Sequence, residues 1–336
     1  FMAYGNHASI TEDIPKTQQA LVKDIRRGYV LIMDPWLTFF VPNLHRTPLG
    51  MVDLNKLHKN PRPIFDSSFR PAPWAMAIND FTSKLSEPEI VFPLAWIRYL
   101  TWLWNLRITY PRLELYLGDD DVSGAFRQVK YNPNLVAMHA FLVFGVLFMS
   151  TGQTFGDCTS PANWEPVARN RQQYAQFLWR QASTLAAGMQ YLPRLLFAPP
   201  PSSAVVTTFV QATPDLLNTG VVDAFGKRNP PQFDHHVDDC FYADTKEFFP
   251  LAVASSVLAL YLLLGRPSAT HRDPVSWEKF EAKVTHRRKA KGYMVDTRAM
   301  EVSLPDYKRD QVVELLATWT VRALSLLNIR RCRRRV

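Results

Sequence analysis

Cysteine is scarce in this chain of 336 residues: Cys158, Cys240 and Cys332 lie far apart and none belongs to a CxxC pair. That excludes a disulfide framework and a structural zinc site of the usual spacing, and it makes a reducing, intracellular setting in cytoplasm or nucleus the expected one. Long hydrophobic runs are missing as well. The two most apolar stretches, Phe141 to Met149 and Leu251 to Leu264, are shorter than the ~20 residues a membrane-spanning helix requires. Both read as buried core, and no membrane partner is expected. Phe1 to Pro15 hold Glu12 and Asp13 and no apolar run of the secretory kind. No segment repeats another.

What is present is a globular composition with a basic excess. Apolar residues make up 47%, ample for a packed core, and 39 Lys and Arg against 30 Asp and Glu leave a formal charge of +9. A polyanion is the natural partner of such a surface.

Along the chain, Thr11 caps an expected amphipathic helix carrying Leu21, Val22 and Ile25, after which Pro35, Pro42 and Pro48 break the pattern. Residues 59–75 form a basic, turn-bounded strand edge. Leu94, Ile97, Leu100 and Trp104 keep a helical period, and Leu113, Leu115 and Leu117 alternate as a strand running into DDDVSGAF. Two apolar strands flank Gly145. Ser160-Pro161 reads as a cap and first-turn proline opening a helix to about Ala187. A Pro-rich insertion at about 193–231 follows, then FDHHVDDCFYAD, a helix from Thr245 to Leu264, the pair GYMVD and MEVSL as a hairpin, and a last helix from Asp306 to Leu327. Strands ending in carboxylates and alternating with helices predict an α+β sheet covered by helices on one face.

Two acidic groups carry the chemistry, Asp119-Asp120-Asp121 and His236-Val237-Asp238-Asp239. Acids at two separate strand ends suit hard divalent cations, which take oxygen ligands. Two such ions ~3.5–4 Å apart support in-line phosphoryl displacement. On the residues alone, a solvated turn and a hairpin tip fit equally well. His235 and His236 beside aspartates suggest zinc, but no further His or Cys stands at ligand spacing.

In order over residues 40–310, the motifs resemble those of reverse transcriptases from retrotransposons, nearest to the tyrosine-recombinase type. Asp121-Val122-Ser123-Gly124-Ala125-Phe126 resembles the first palm motif, Gly156 through Ser160-Pro161 to Trp164 the second, and His236-Val237-Asp238-Asp239 the third, with His236 in place of an aromatic. Arg62-Pro-Ile-Phe-Asp66 resembles the fingers strand, and Gly292-Tyr293 with DTRAMEVSLP the strand that grips the primer.

The resemblance implies a right-hand polymerase: N-terminal extension and fingers in 1–112, palm in 113–290, and a primer-grip hairpin with the start of a thumb in 291–336. It implies an RNA-directed DNA polymerase using two Mg²⁺, or Mn²⁺ in their place, with an RNA or DNA template, a primer duplex and dNTPs as partners. Asp121, Asp238 and Asp239 would hold the metals, helped by the Val122 carbonyl, with Asp119 and Asp120 as solvated neighbours. Arg62 would meet the triphosphate, with Arg70 sharing the task. Lys279 would protonate the leaving pyrophosphate. Ala125, Phe126, Phe155 and Gly156 would border the nucleotide, and Phe126, on the strand begun by Asp121, would exclude a ribose. A surface Arg62, a solvated Lys279 and a core Phe126 are the plain alternatives. The rival functions are a decayed fragment that binds nucleic acid without catalysis and an RNA-directed RNA polymerase. The arginines at 330–335 would meet phosphates.

Overall fold

The structure, a computed structural model, describes residues 5–52, 61–81, 90, 94–188, 233–268, 272–277, 279–280 and 285–318. The expected insertion at 193–231 and the arginine run at 330–335 lie outside them.

The first two helices are α1 (Ser9–Glu12) and α2 (Ile14–Arg26). Asp13, not Thr11, caps α2: its carboxylate accepts the Lys16 N–H at 3.1 Å, and Pro15 sits in the first turn, where its missing N–H is not needed. Strand β1 (Val30–Met33) pairs with β6 (Val146–Ser150), which turns back on β5 (Ala140–Val143) through Phe144-Gly145. β2 (Leu49–Val52) and β3 (Arg62–Phe65) form a second ladder. Leu21, Leu49, Phe65, Phe141 and Phe148 bury one core between these sheets. Because β1 pairs with β6, this layer takes residues from both sides of the expected boundary at 112.

The central sheet runs β4-β8-β7, from β4 (Leu115–Asp120), β7 (Phe233–His236) and β8 (Asp239–Thr245). Helices α5 (Ser160–Gly188) and α6 (Phe249–Leu264) cover the face that carries Cys240, Tyr242 and Asp244. α3 (Ala95–Thr109) reaches the other face, where Tyr99 packs on Phe241 and the Trp102 indole donates to the Ala243 carbonyl at 3.1 Å. Each of these rings is fully buried, a burial that stabilises by roughly 1.5–3 kcal/mol per side chain. α6 starts at Phe249, four residues later than expected; Thr245 still pairs with Leu115, and Pro250 falls in the first helical turn.

β9 (Arg287–Ala290), β10 (Tyr293–Asp296) and β11 (Glu301–Ser303) form a third sheet, leading to α7 (Asp306–Thr318). The hairpin of GYMVD with MEVSL is present, and β9 extends it across the expected boundary at 290. Among the described residues, no helix is long and apolar enough to cross a membrane.

Candidate active site

Strand alternation divides the three consecutive aspartates between two faces. Asp120 lies opposite Cys240 and points toward α5, where it meets the Arg171 guanidinium; the two side chains are 1% and 3% exposed. Arg171 also donates to Ser256 at 3.0 Å. Asp119 turns to the other face and pairs with Arg288 of β9. The expectation that both are solvated neighbours fails, because β4 continues through both and sets each against an arginine.

Asp121 follows at the strand end. Its carbonyl accepts the Ser276 N–H at 3.0 Å, and Ser123 N–H donates to Pro274 at 2.7 Å, so the chain around 274–276 clamps the turn. Neither bond uses the Val122 carbonyl. From the opposite hairpin, Asp238 and Asp239 arrive at the β7–β8 tip. Val237 there has φ 60°, a costly conformation for a β-branched residue, and the Trp164 indole of α5 holds its carbonyl at 2.7 Å.

Carboxylate oxygens of Asp121, Asp238 and Asp239 lie within 4.8 Å of one another. Lys279 Nζ sits 2.7 Å from Asp121. Burial, and next the Asp121 charge, push the Asp238 carboxyl up to about 6. Asp239 rises to about 7 through burial and the charges of Asp238 and Asp121. Burial works against the Lys279 ammonium, but its bond to Asp121 and the other two acids keep its proton affinity above the usual lysine value. One lysine does not neutralise three acids, and Asp121 Oδ1 is buried without a hydrogen-bond partner. An all-oxygen donor set with this charge surplus fits divalent Mg²⁺ or Mn²⁺.

A row of side chains leads from this cluster to β3. After Gly124, at φ 63°, the chain enters the short helix α4 (Ala125–Gln128), so Phe126 lies on a helical turn and not on the strand. Its ring is 9% exposed and 5.2 Å from that of Phe155. Arg62 stands over the outer face of the row, its guanidinium 5.8 Å from the Phe155 ring centre. Phe65 N–H donates to the Phe155 carbonyl at 2.9 Å, tying this loop to β3. Gly156 has φ +112°, and a Cβ there would stand 1.7 Å from the Phe65 carbonyl. The close approach that requires glycine is therefore to β3. The loop is closed by Asp157, which accepts from Thr159; Ser160 is no cap, since its hydroxyl donates to Thr154 at 2.8 Å.

Other expected residues stand apart. Arg70 pairs with Asp80 at 2.6 Å. Tyr293 is 41% exposed and stacks on Trp96 of α3, ring centres 5.4 Å apart, next to Gly292 at the β9–β10 tip. His235 is buried against Gln172 and Glu165 of α5, and burial lowers its proton affinity. It faces α5, and among the described residues the group able to hold a metal consists of three aspartates without a histidine, which does not fit the zinc reading of His235 and His236. Nothing local marked Arg171 or Arg288 as partners, since both pairings are long-range.

Neither a protein-family model nor a curated protein sequence matches the chain. Solved structures do. A foamy viral protease-reverse transcriptase in complex with double-stranded DNA superposes with TM-score 0.52 at 16% identity, over 97% of this chain and 49% of that one. The fold is that of a reverse transcriptase. A dRH form with double-stranded DNA gives 0.51 at 14%, over 94% and 38%, and a complex with an RNA/DNA hybrid 0.50 at 15%, over 92% and 29%. The chain spans less than half the length of the solved chains it matches.

Proposed function

We propose that this reverse-transcriptase fold is catalytic: an RNA-directed DNA polymerase of a retrotransposon, nearest to the tyrosine-recombinase type, joining dNTPs to a primer on an RNA or DNA template. One observation carries the reading. Asp121, Asp238 and Asp239, brought from two strand ends to within 4.8 Å, form an acid cluster that, among the described residues, has one ion-pair partner, Lys279. Folding tolerates such repulsion where a ligand repays it.

Asp121, Asp238 and Asp239 would hold divalent cations, with the Val122 carbonyl at hand. When bound, these ions polarise phosphoryl oxygen and lower the charge barrier to attack by a hydroxyl. The chain's own groups do the rest. Arg62 presents a planar guanidinium to a triphosphate entering beside Phe155. Phe126 and Phe155 form an apolar floor for its sugar. Lys279 keeps its proton at Nζ beside Asp121, ready for the pyrophosphate oxygen that leaves. The β9–β10 tip with Gly292 and Tyr293 supports the primer strand.

Primer extension with Asp238→Asn tests this. Extension is expected to fall at least 10³-fold, roughly the loss that follows removal of a group acting on the reacting atoms, with primer–template binding kept. Near-full extension by this variant would overturn the reading.

A further inference from the structure

One oxygen ties down both ends of the short turn that carries Phe155 and Gly156. The Tyr131 hydroxyl accepts the Thr154 N–H at 3.2 Å and donates to the Asp157 carboxylate at 2.9 Å. Tyr131 is itself fixed: its N–H donates to the Thr151 carbonyl at 3.1 Å, and its ring lies flat on that of His139, centres 3.8 Å apart and planes 9° from parallel. Burial lowers the His139 imidazole to about 4, so it stacks as a neutral ring. Burial and the Asp157 charge keep the proton on the Tyr131 oxygen. Asp157 is 7% exposed, and its carboxylate accepts from neutral donors, the Tyr131 hydroxyl and the Thr159 N–H and hydroxyl. Loss of one donor leaves a buried charge short of a partner, a state the loop can relieve only by moving.

We infer that Tyr131 is a positioning residue for the incoming nucleotide: its hydroxyl fixes the Phe155 ring at the height that binds a dNTP, without touching the reacting atoms. The inference rests on the proposed polymerase function. Phe155 forms half of the apolar floor with Phe126, and Arg62 stands over the same ring. With Thr154 and Asp157 both tied to one rigid side chain, the two residues between them have little freedom. Without that tie, the turn keeps Asn79, which donates to the Gly156 carbonyl and accepts the Cys158 N–H, each at 3.1 Å, and the bond from Phe65 to the Phe155 carbonyl. The acids and Lys279 lie on other elements. The loss therefore falls on nucleotide binding and spares the chemical step.

The test is single-turnover extension of a primer–template by one dNTP in Mg²⁺, which separates the dNTP Kd from the maximal rate. Tyr131→Phe removes one oxygen and keeps the stack on His139. Its Kd is expected to rise about tenfold, the scale of a lost hydrogen bond to a charged group, with the maximal rate within about twofold of wild type. Asp157→Asn should raise Kd severalfold by weakening the same bond. Adding Tyr131→Phe to it should cost less than about threefold more, because both changes act on one interaction. Should Tyr131→Phe fail to fold, Asp157→Asn decides alone: a raised Kd at an unchanged rate supports the inference and a wild-type Kd overturns it. A wild-type Kd in Tyr131→Phe, a lower rate and melting temperature at unchanged Kd, or penalties that multiply in the double variant would likewise overturn it. A wild-type chain that does not extend primers would overturn the polymerase function itself, and this inference with it.

Discussion

On the α5/α6 face of the central sheet, Asp120 meets Arg171 and Glu165 meets Arg169 at 3.0 Å and His235 at 3.2 Å, whereas on the opposite face three carboxylates share Lys279. Asp120 and Asp121 are neighbours in the chain. They differ because one ends a strand facing two helices and the other starts the turn that meets the β7–β8 tip. Matched buried charge fixes a structure; unmatched charge held together by the fold asks for a ligand. This contrast separates the aspartates matched within the scaffold from those that the proposed chemistry would use.

The contrast sharpens first at Phe126, which borders the acids yet is packed like core among Val122, Trp164 and Leu260. If its ring limits the sugar, Phe126→Ala should raise the ratio of kcat/KM for ribonucleotides over deoxynucleotides about 10²-fold, because a ring that rejects a hydroxyl does so by overlap and an unmade hydrogen bond. Equal losses for both substrates with a lower melting temperature would assign Phe126 to the scaffold and favour an RNA-directed RNA polymerase.

A smaller effect concerns stability without metal. Asp238 and Asp239 titrate at about 6 and 7 in the fold, against about 3.9 for an unfolded Asp. The folded state therefore holds extra protons between these values. Stability is full below about 4 and is lost as pH rises through 6 to 7. In chelator at pH 8, Asp238→Asn should be more stable than the wild type by on the order of 1–2 kcal/mol, partial solvent access reducing the gain. Thermal unfolding with and without Mg²⁺ checks this: Mg²⁺ should raise the wild-type midpoint and close the gap. A variant less stable than the wild type in chelator would place Asp238 among the matched charges.

Much of this architecture was legible in the sequence, because period and punctuation are local signals. Leu113, Leu115 and Leu117 announced β4, Gly145 the β5–β6 turn, and Gly265 the end of α6. What escaped depends on partners far away in the chain. Arg287 to Ala290 lacks the apolar alternation of a strand, and Arg288 is buried where it pairs with Asp119 on β4, far away in the chain. Asp120 looked solvated for the same reason, its counter-charge lying on α5. Gly124 was a readable sign that the strand stops before Phe126, as Asp13 with Pro15 was for the cap of α2. The site itself divides in the same way: the acids at the two strand ends were recognisable by type and spacing, whereas the strain at Val237 is a property of a hairpin tip that residue type does not reveal.

The most direct measurement sets Asp120→Asn beside Asp121→Asn, reading thermal unfolding and primer extension on the same samples. Asp120→Asn leaves the Arg171 charge buried and uncompensated, and should lose about 3–5 kcal/mol of stability while its folded fraction still extends primers. Asp121→Asn should unfold at or above the wild-type temperature in chelator and extend nothing. Extension surviving in Asp121→Asn, or abolished in an Asp120→Asn protein that remains as stable as the wild type, would contradict the division of the two faces.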